Sequence, residues 1–445
     1  MKSSVVTRLL TSLSLIVSLN FMPTVPQASA DWIGATAGGG YVDGGDKDYL
    51  YTGNWAGGTI NDGFTEAVSW LTVYLDGDRT GAPYKNGGGQ LTIETSDATP
   101  RTLFLSGNIL NESGKLYLGG STGTKLIVDL NGADRTIEYR NQQYAYIYAQ
   151  ITGNGRLVLS PTRGDGIHLY NPNNNWTGGL TVGGAVATVY CQAANVIPSG
   201  LGKGSVYIAD VETYSELHLN GFSQTVNDLS SGANNTRPKY ISTTAAATLT
   251  VLSYNDTTFA GVIRNTVSLT KAGSATLTLT CDSTYSGATT ITSGTLLVNG
   301  NNSAANGAVT VRSGGVLGGS GTVGGAVTVQ AGGALAPGNN GVGTLTVDDN
   351  LVLTTNAVYN WQCRNGTGDL VRVNGTLTLP NVATVIVSLI SGDMPKTGTI
   401  FTADALVGAK SLSSWTLPGE GSLIAKIIGN SIVLARPTGT VVTLR

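Results

Sequence analysis

The chain has 445 residues, 62 of them glycine, with only 12% charged residues and a formal net charge of −2. That balance excludes the basic footprint of a nucleic-acid or anionic-membrane binder. An abundance of Val, Ile, Leu and Thr excludes a disordered chain, and glycine at roughly twice its usual share predicts many short strands joined by tight turns.

Residues 1–30 read as a secretory signal. Lys2 and Arg8 precede the apolar run Leu9 to Leu19, and Ala28-Ser29-Ala30 supplies small residues for cleavage. The run is too short and too rich in Ser and Thr to span a bilayer, and no later stretch is long and apolar enough for a transmembrane helix. The expected mature chain starts at Asp31, with 23 basic residues left once Lys2 and Arg8 are removed, against 27 acidic ones. Residues 31–87 are irregular, hold Trp32, Trp55 and Trp70, and are expected to form an N-terminal cap or small β region. Two acidic clusters fall here: Asp43, Asp46 and Asp48, then Asp76 and Asp78. Neither has EF-hand or nonapeptide calcium spacing, and both read as turns. No metal site and no cofactor is expected.

Residues 88–380 read as β-helix repeats, clearest over 260–380. Ala308-Val309-Thr310-Val311-Arg312-Ser313-Gly314-Gly315 recurs as Ala326-Val327-Thr328-Val329-Gln330-Ala331-Gly332-Gly333, 18 residues on. Thr344-Leu345-Thr346-Val347 follows at the same interval, and Thr289-Thr290-Ile291-Thr292 lies upstream. Each unit alternates apolar residues with Thr at period two, then turns at glycine. No helical periodicity supplies crossover helices, so a doubly wound α/β sheet is excluded. A coil of about 18–20 residues suits three short strands and three turns. The predicted fold is all-β: a right-handed parallel β-helix with short three-strand coils and capped ends. A Gly-rich antiparallel sandwich is the second choice. Residues 381–445 are expected to form a C-terminal β cap, with strands over 382–389, 399–404 and 422–435.

Within the repeats, Tyr144, Tyr146 and Tyr148 fall at period two on one strand face and form the candidate binding stripe. Packing under a loop or within the coil is the competing reading. His168 and His218 alternate with apolar neighbours and read as solvent-face strand residues. Asn171-Pro172-Asn173-Asn174-Asn175-Trp176 reads as a turn first and a binding loop second. Cys191, Cys281 and Cys363 are far apart in sequence and read as small buried residues, with one long-range disulfide as an alternative. No nucleophile elbow, phosphate loop or paired-carboxylate motif is present, so no catalytic residue is assigned.

Ser268 to Thr280, followed by Thr284 to Leu296, resembles the autotransporter-associated β-strand repeat. Gly324 to Leu353 and Asp369 to Leu377 resemble the coils that follow it. The resemblance implies a passenger-type β-helix of a Gram-negative-type bacterium, secreted or at the cell surface. It is uninformative about ligand. No barrel-strand pattern of the family's translocator follows before Arg445. The expected function is a non-catalytic scaffold or adhesin, present as a monomeric rod, whose partners are glycans or other surface or matrix components. The alternative is a polysaccharide lyase or hydrolase.

Overall fold

Alternation at period two means that every second side chain of a strand enters the coil and the others leave it. In the computed structural model, Ala145 and Ile147 are fully buried while Tyr146 between them faces out. Leu157 and Leu159 point in, and Val158 points out. The structure describes residues 70–436, except 76–78, 82–83, 86–89, 96–97, 112–113, 121–124, 141–142, 163–165, 235, 340, 392–396, 416 and 418–422. Every regular element among them is a β-strand, and nearly all pairing is parallel.

Successive coils stack strand on equivalent strand. Sheet 1 has nine strands and runs from Trp70–Leu75 through Gln90–Thr95, Leu116–Leu118, Ala145–Ile147, Ile167–Leu169, Val186–Cys191, Tyr214–His218 and Lys239–Ser242 to Val262–Ile263. A short four-stranded sheet 2 ends at Gln150–Thr152. Beyond it, side-chain amides replace the missing strands. Asn174 accepts from the Ile151 N–H and donates to the Val196 carbonyl, and Gln224 accepts from the Val196 N–H. The Asn-rich segment is thus a structural corner, and Trp176 within it is buried with Nε1 donating to the Gly179 carbonyl. Sheet 3 runs alongside from the early coils, through Ile109–Asn111, Arg135–Tyr139 and Leu157–Pro161, and continues through Ala247–Leu252, Val267–Ala272, Thr289–Ile291, Val309–Val311 and Val327–Val329. Sheet 4 starts at Thr257–Phe259 and reaches Ala383–Ser391. One continuous apolar core from Leu91 to Leu434 fills the coils, each fully buried Leu, Ile or Val contributing roughly 1.5–3 kcal/mol.

The repeat region is the most regular part. Leu269, Thr289, Val309 and Val327 stack inward, while Thr270, Thr290, Thr310 and Thr328 stack on the outer face. Gly314 and Gly332 occupy equivalent turns with φ of 81° and 74°, a conformation that disfavours side chains. An inward column also runs Val251, Lys271, Ile291, Val311 and Val329. Its one charged member, Lys271, is fully buried and donates to the carbonyls of Ala272, Gly273 and Ser293 at 3.0, 3.1 and 3.2 Å.

One sequence equivalence fails. Val327-Thr328-Val329 stacks against Leu351-Val352-Leu353, an offset of 24, and not against the segment 18 residues on. Leu345-Thr346-Val347 belongs to another face, where Thr346 and Val347 lie opposite Thr322 and Val323. The extra residues are spent near Gly338, whose backbone bridges to Gly319, before the chain re-enters a strand at Thr344. Alternation alone cannot tell these two faces apart.

At the C-terminal end the pairing changes direction. Thr397–Gly408 stacks parallel on Leu370–Leu379, then Ser431–Ala435 pairs antiparallel with it and with Ile424–Ile428. At the other end, parallel stacking is already present at Trp70, opposite Gln90. All three cysteines are unbridged; Cys191 and Cys363 are buried and Cys281 is half-buried.

Candidate functional site

The outer face of sheet 1 collects aromatic rings. Because Ala145, Ile147 and Ala149 are held in the core, Tyr144, Tyr146 and Tyr148 all point outward and are half-buried. Parallel register then builds a column across coils. Tyr117 lies opposite Tyr146, Tyr146 opposite His168, His168 opposite Tyr190, and Tyr190 opposite His218. Ring centroids along this ladder are 5.0, 5.2, 4.6 and 4.9 Å apart. A side row adds Tyr148 stacked on Tyr170 at 4.2 Å, and Tyr144 meets His168 edge-on at 5.2 Å.

The rings lean on one another. Tyr117 on Tyr146 and His168 on Tyr190 are near-parallel, with interplanar angles of 22° and 13°. Their faces are largely taken up by neighbours, so what the surface offers is ring edges, phenol hydroxyls and amides. This also explains the histidines. Both sit on the outer face, yet His168 and His218 are only 9% and 8% exposed because tyrosines of adjacent coils close over them. The expectation of solvent-facing histidines is corrected in that respect.

Beside the rings runs a polar chain. Thr244 donates to Asn220, Asn220 Nδ2 donates to Gln192 Oε1 at 2.9 Å, and Gln192 Nε2 lies 2.6 Å from His168 Nδ1. With the Gln192 amide so oriented, His168 Nδ1 accepts and the proton resides on Nε2. At the far end, Glu216 is buried and accepts from the Ser242 hydroxyl and from Arg264 Nη2 at 2.8 Å. The Arg264 guanidinium lies 3.7 Å over the Tyr240 ring. Burial pulls the His218 imidazole below its ordinary pKa; Glu216 opposes that shift and Arg264 adds to it. Burial, then the hydrogen bond and charge of Tyr148, push the Tyr170 phenol upward, so it stays a neutral hydroxyl.

The structure therefore brings together the three tyrosines expected from sequence and adds Tyr117, His168, Tyr170, Tyr190, His218 and Gln192. The signal for the added residues was weak. Adjacent ladder members are 29, 22, 22 and 28 residues apart, so no fixed period points to them. The acidic clusters Asp43, Asp46, Asp48 and Asp76, Asp78 lie outside the described residues. Among the described residues no group of three or more His, Cys, Asp or Glu gathers to hold a metal ion. Elsewhere, buried Asp369 accepts from the backbone N–H groups of Gly343 and Gln362, both at 2.8 Å, tying a turn to a strand; burial raises its carboxyl to about 6.

Comparison with known proteins bears on the coils that follow the aromatic face. The passenger-associated-transport-repeat family matches residues 269–298, the strand-turn-strand unit at the start of the regular stack. A stretch of 67 residues is 42% identical to the adhesin BmaC autotransporter of Brucella suis biovar 1 (strain 1330). That match covers 15% of this chain and 2% of the adhesin's length. With the parallel solenoid seen here, these likenesses support an autotransporter passenger-type β-helix protein.

Proposed function

We propose that this is an exported, adhesin-type surface protein, carried out of the cytoplasm by its N-terminal signal, that holds polysaccharide on the outer face of sheet 1 without cleaving it. The observation that carries this reading is the ladder from Tyr117 to His218, with its flanking amide chain. Partly apolar rings with polar rims, set on rigid strands, suit a ligand that is apolar on its ring faces and hydroxylated at its edges. Glycoside hydrolysis uses a pair of carboxyl groups flanking the bond. On this face Glu216 is buried and already holds Ser242 and Arg264, which leaves it engaged in structure.

The test is a glycan array combined with an activity screen on neutral and acidic polysaccharides. Binding without product release, weakened in Tyr146→Ala, is the expected result. Cleavage that disappears in Glu216→Gln would overturn the reading in favour of a polysaccharide-active enzyme.

A further inference from the structure

The ladder has a direction, a step and an end, and these specify its ligand further than the class. It runs along the solenoid axis, one ring per coil, with steps of 4.6–5.2 Å set by the stacking of strands. Across it, along a single strand, the rings number three, at 5.6 and 6.3 Å. An extended chain of pyranose rings advances, per sugar, by close to one axial step. A polymer lying along the axis would therefore meet one rung at each unit, whereas one lying along a strand would leave the site after Tyr148.

The charge pattern selects among such polymers. The outward positions Tyr144, Tyr146, Tyr148, His168, Tyr170, Thr188, Tyr190 and Gln192 are all uncharged side chains, and at the Tyr117 end Lys115 and Glu94 share the face with opposite signs. The nearest ion pair, Glu216 with Arg264, is self-neutralised. A carboxylated or sulfated chain gains no net counter-charge along this path, whereas hydroxyls both donate to and accept from phenols and amides. The column ends in buried hydroxyl residues: Thr92, opposite Tyr117, is 7% exposed, and Ser242, opposite His218, is 1% exposed.

We propose that the ladder binds one neutral, extended, equatorially linked glycan chain along the solenoid axis, one sugar to each of the five rungs from Tyr117 to His218, held by the rims of Tyr117, Tyr146 and Tyr190 and, at the covered histidine rungs, by the flanking Gln192 and Asn220 amides. This rests on the glycan-binding reading above. Calorimetric titration with neutral gluco-, xylo- and manno-oligosaccharides, from disaccharide to octasaccharide, beside oligogalacturonate, tests it. Affinity is expected to climb with each sugar up to the pentasaccharide and then level off, with oligogalacturonate binding more weakly. Tyr190→Ala should weaken pentasaccharide binding by about three- to tenfold and move the plateau to the trisaccharide, because three contiguous rungs remain. Tyr190→Phe, which keeps the stacked ring, should hold the plateau at five and serves as the folding control. A plateau at the disaccharide in the unaltered protein, a plateau unmoved by Tyr190→Ala, or tighter binding of the acidic chain would each overturn the proposal while leaving glycan binding in place. No binding of any glycan would remove both.

Discussion

Sheet 1 between Leu91 and Ile263 and sheet 3 between Val267 and Val329 are built by the same stacking rule and use their outer faces differently. In the sheet 1 region, strand-to-strand offsets range from 22 to 29 residues, and the outer column reads Thr, Tyr, Tyr, His, Tyr, His, Ser. In the sheet 3 region they are 20, 20 and 18, and the outer column is Thr four times over. Even coils leave no surplus residues, so their outer positions carry what suits a strand edge to edge. Uneven coils put the surplus into turns and let each outer position differ. Regularity repeats one outer side chain, and irregularity gives sheet 1 the varied outer face on which the glycan proposal rests.

That contrast can be broken from either side. The largest effect is expected in the coils of the even stack: Leu296→Ala, on their sheet 4 side, removes a side chain 1% exposed and should cost about 2–5 kcal/mol. Urea unfolding measures it, and glycan binding should be unchanged at temperatures where the variant remains folded. A buried carboxyl gives the next effect. Because burial raises Asp369 to about 6 from an ordinary 3.8, the folded chain holds that proton more tightly than the unfolded one. Its contribution is fully present below about pH 4 and is lost as pH rises through about 6, on the order of 2–3 kcal/mol in all. Asp369→Asn should flatten that part of the stability–pH curve; an equally steep curve in the variant would show that another group sets it.

Gly314→Val and Gly332→Val should each cost about 1–3 kcal/mol, since both glycines have positive φ. Gly332→Val should be the worse, because its new Cβ would lie 2.6 Å from Ser313 Oγ, whereas Gly314 has open space. Differential scanning calorimetry of the pair sharpens the point, and neighbouring coils should survive in both. The smallest effect on stability is expected from Tyr146→Ala, about 1 kcal/mol or less from lost ring contacts, together with the largest loss of ligand. A Tyr146→Ala protein that melts several degrees lower yet binds fully would reverse the assignment of the two regions.

Much of this architecture was legible in the residues. Two-residue alternation, glycine turns and the match of Val309 with Val327 lead directly to stacked parallel coils. The same reasoning misplaced Leu345-Thr346-Val347, because an alternating triplet fits any face of a coil and only the chain's path near Gly338 decides which. Tyr144, Tyr146 and Tyr148 could be grouped because they share one strand. Tyr117, His168, Tyr190 and His218 could not, because their neighbours are fixed by the lengths of intervening turns. The burial of the histidines was hidden for the same reason: the rings that cover them come from other coils.

Lys271 has a bearing on how such a stack finds its alignment. Val251, Ile291, Val311 and Val329 are near-interchangeable members of one column, so sliding a coil by a whole rung would cost little in apolar contact. The ammonium among them does not tolerate the slide. The carbonyls of Ala272 and Gly273 travel with it, but that of Ser293 belongs to the next coil, so a slide removes one of its three acceptors, and a buried amine deprived of an acceptor is costly. A single charge inside an otherwise repetitive column thus works as an index mark: it gives one rung an address, and the coils on either side inherit their numbering from it.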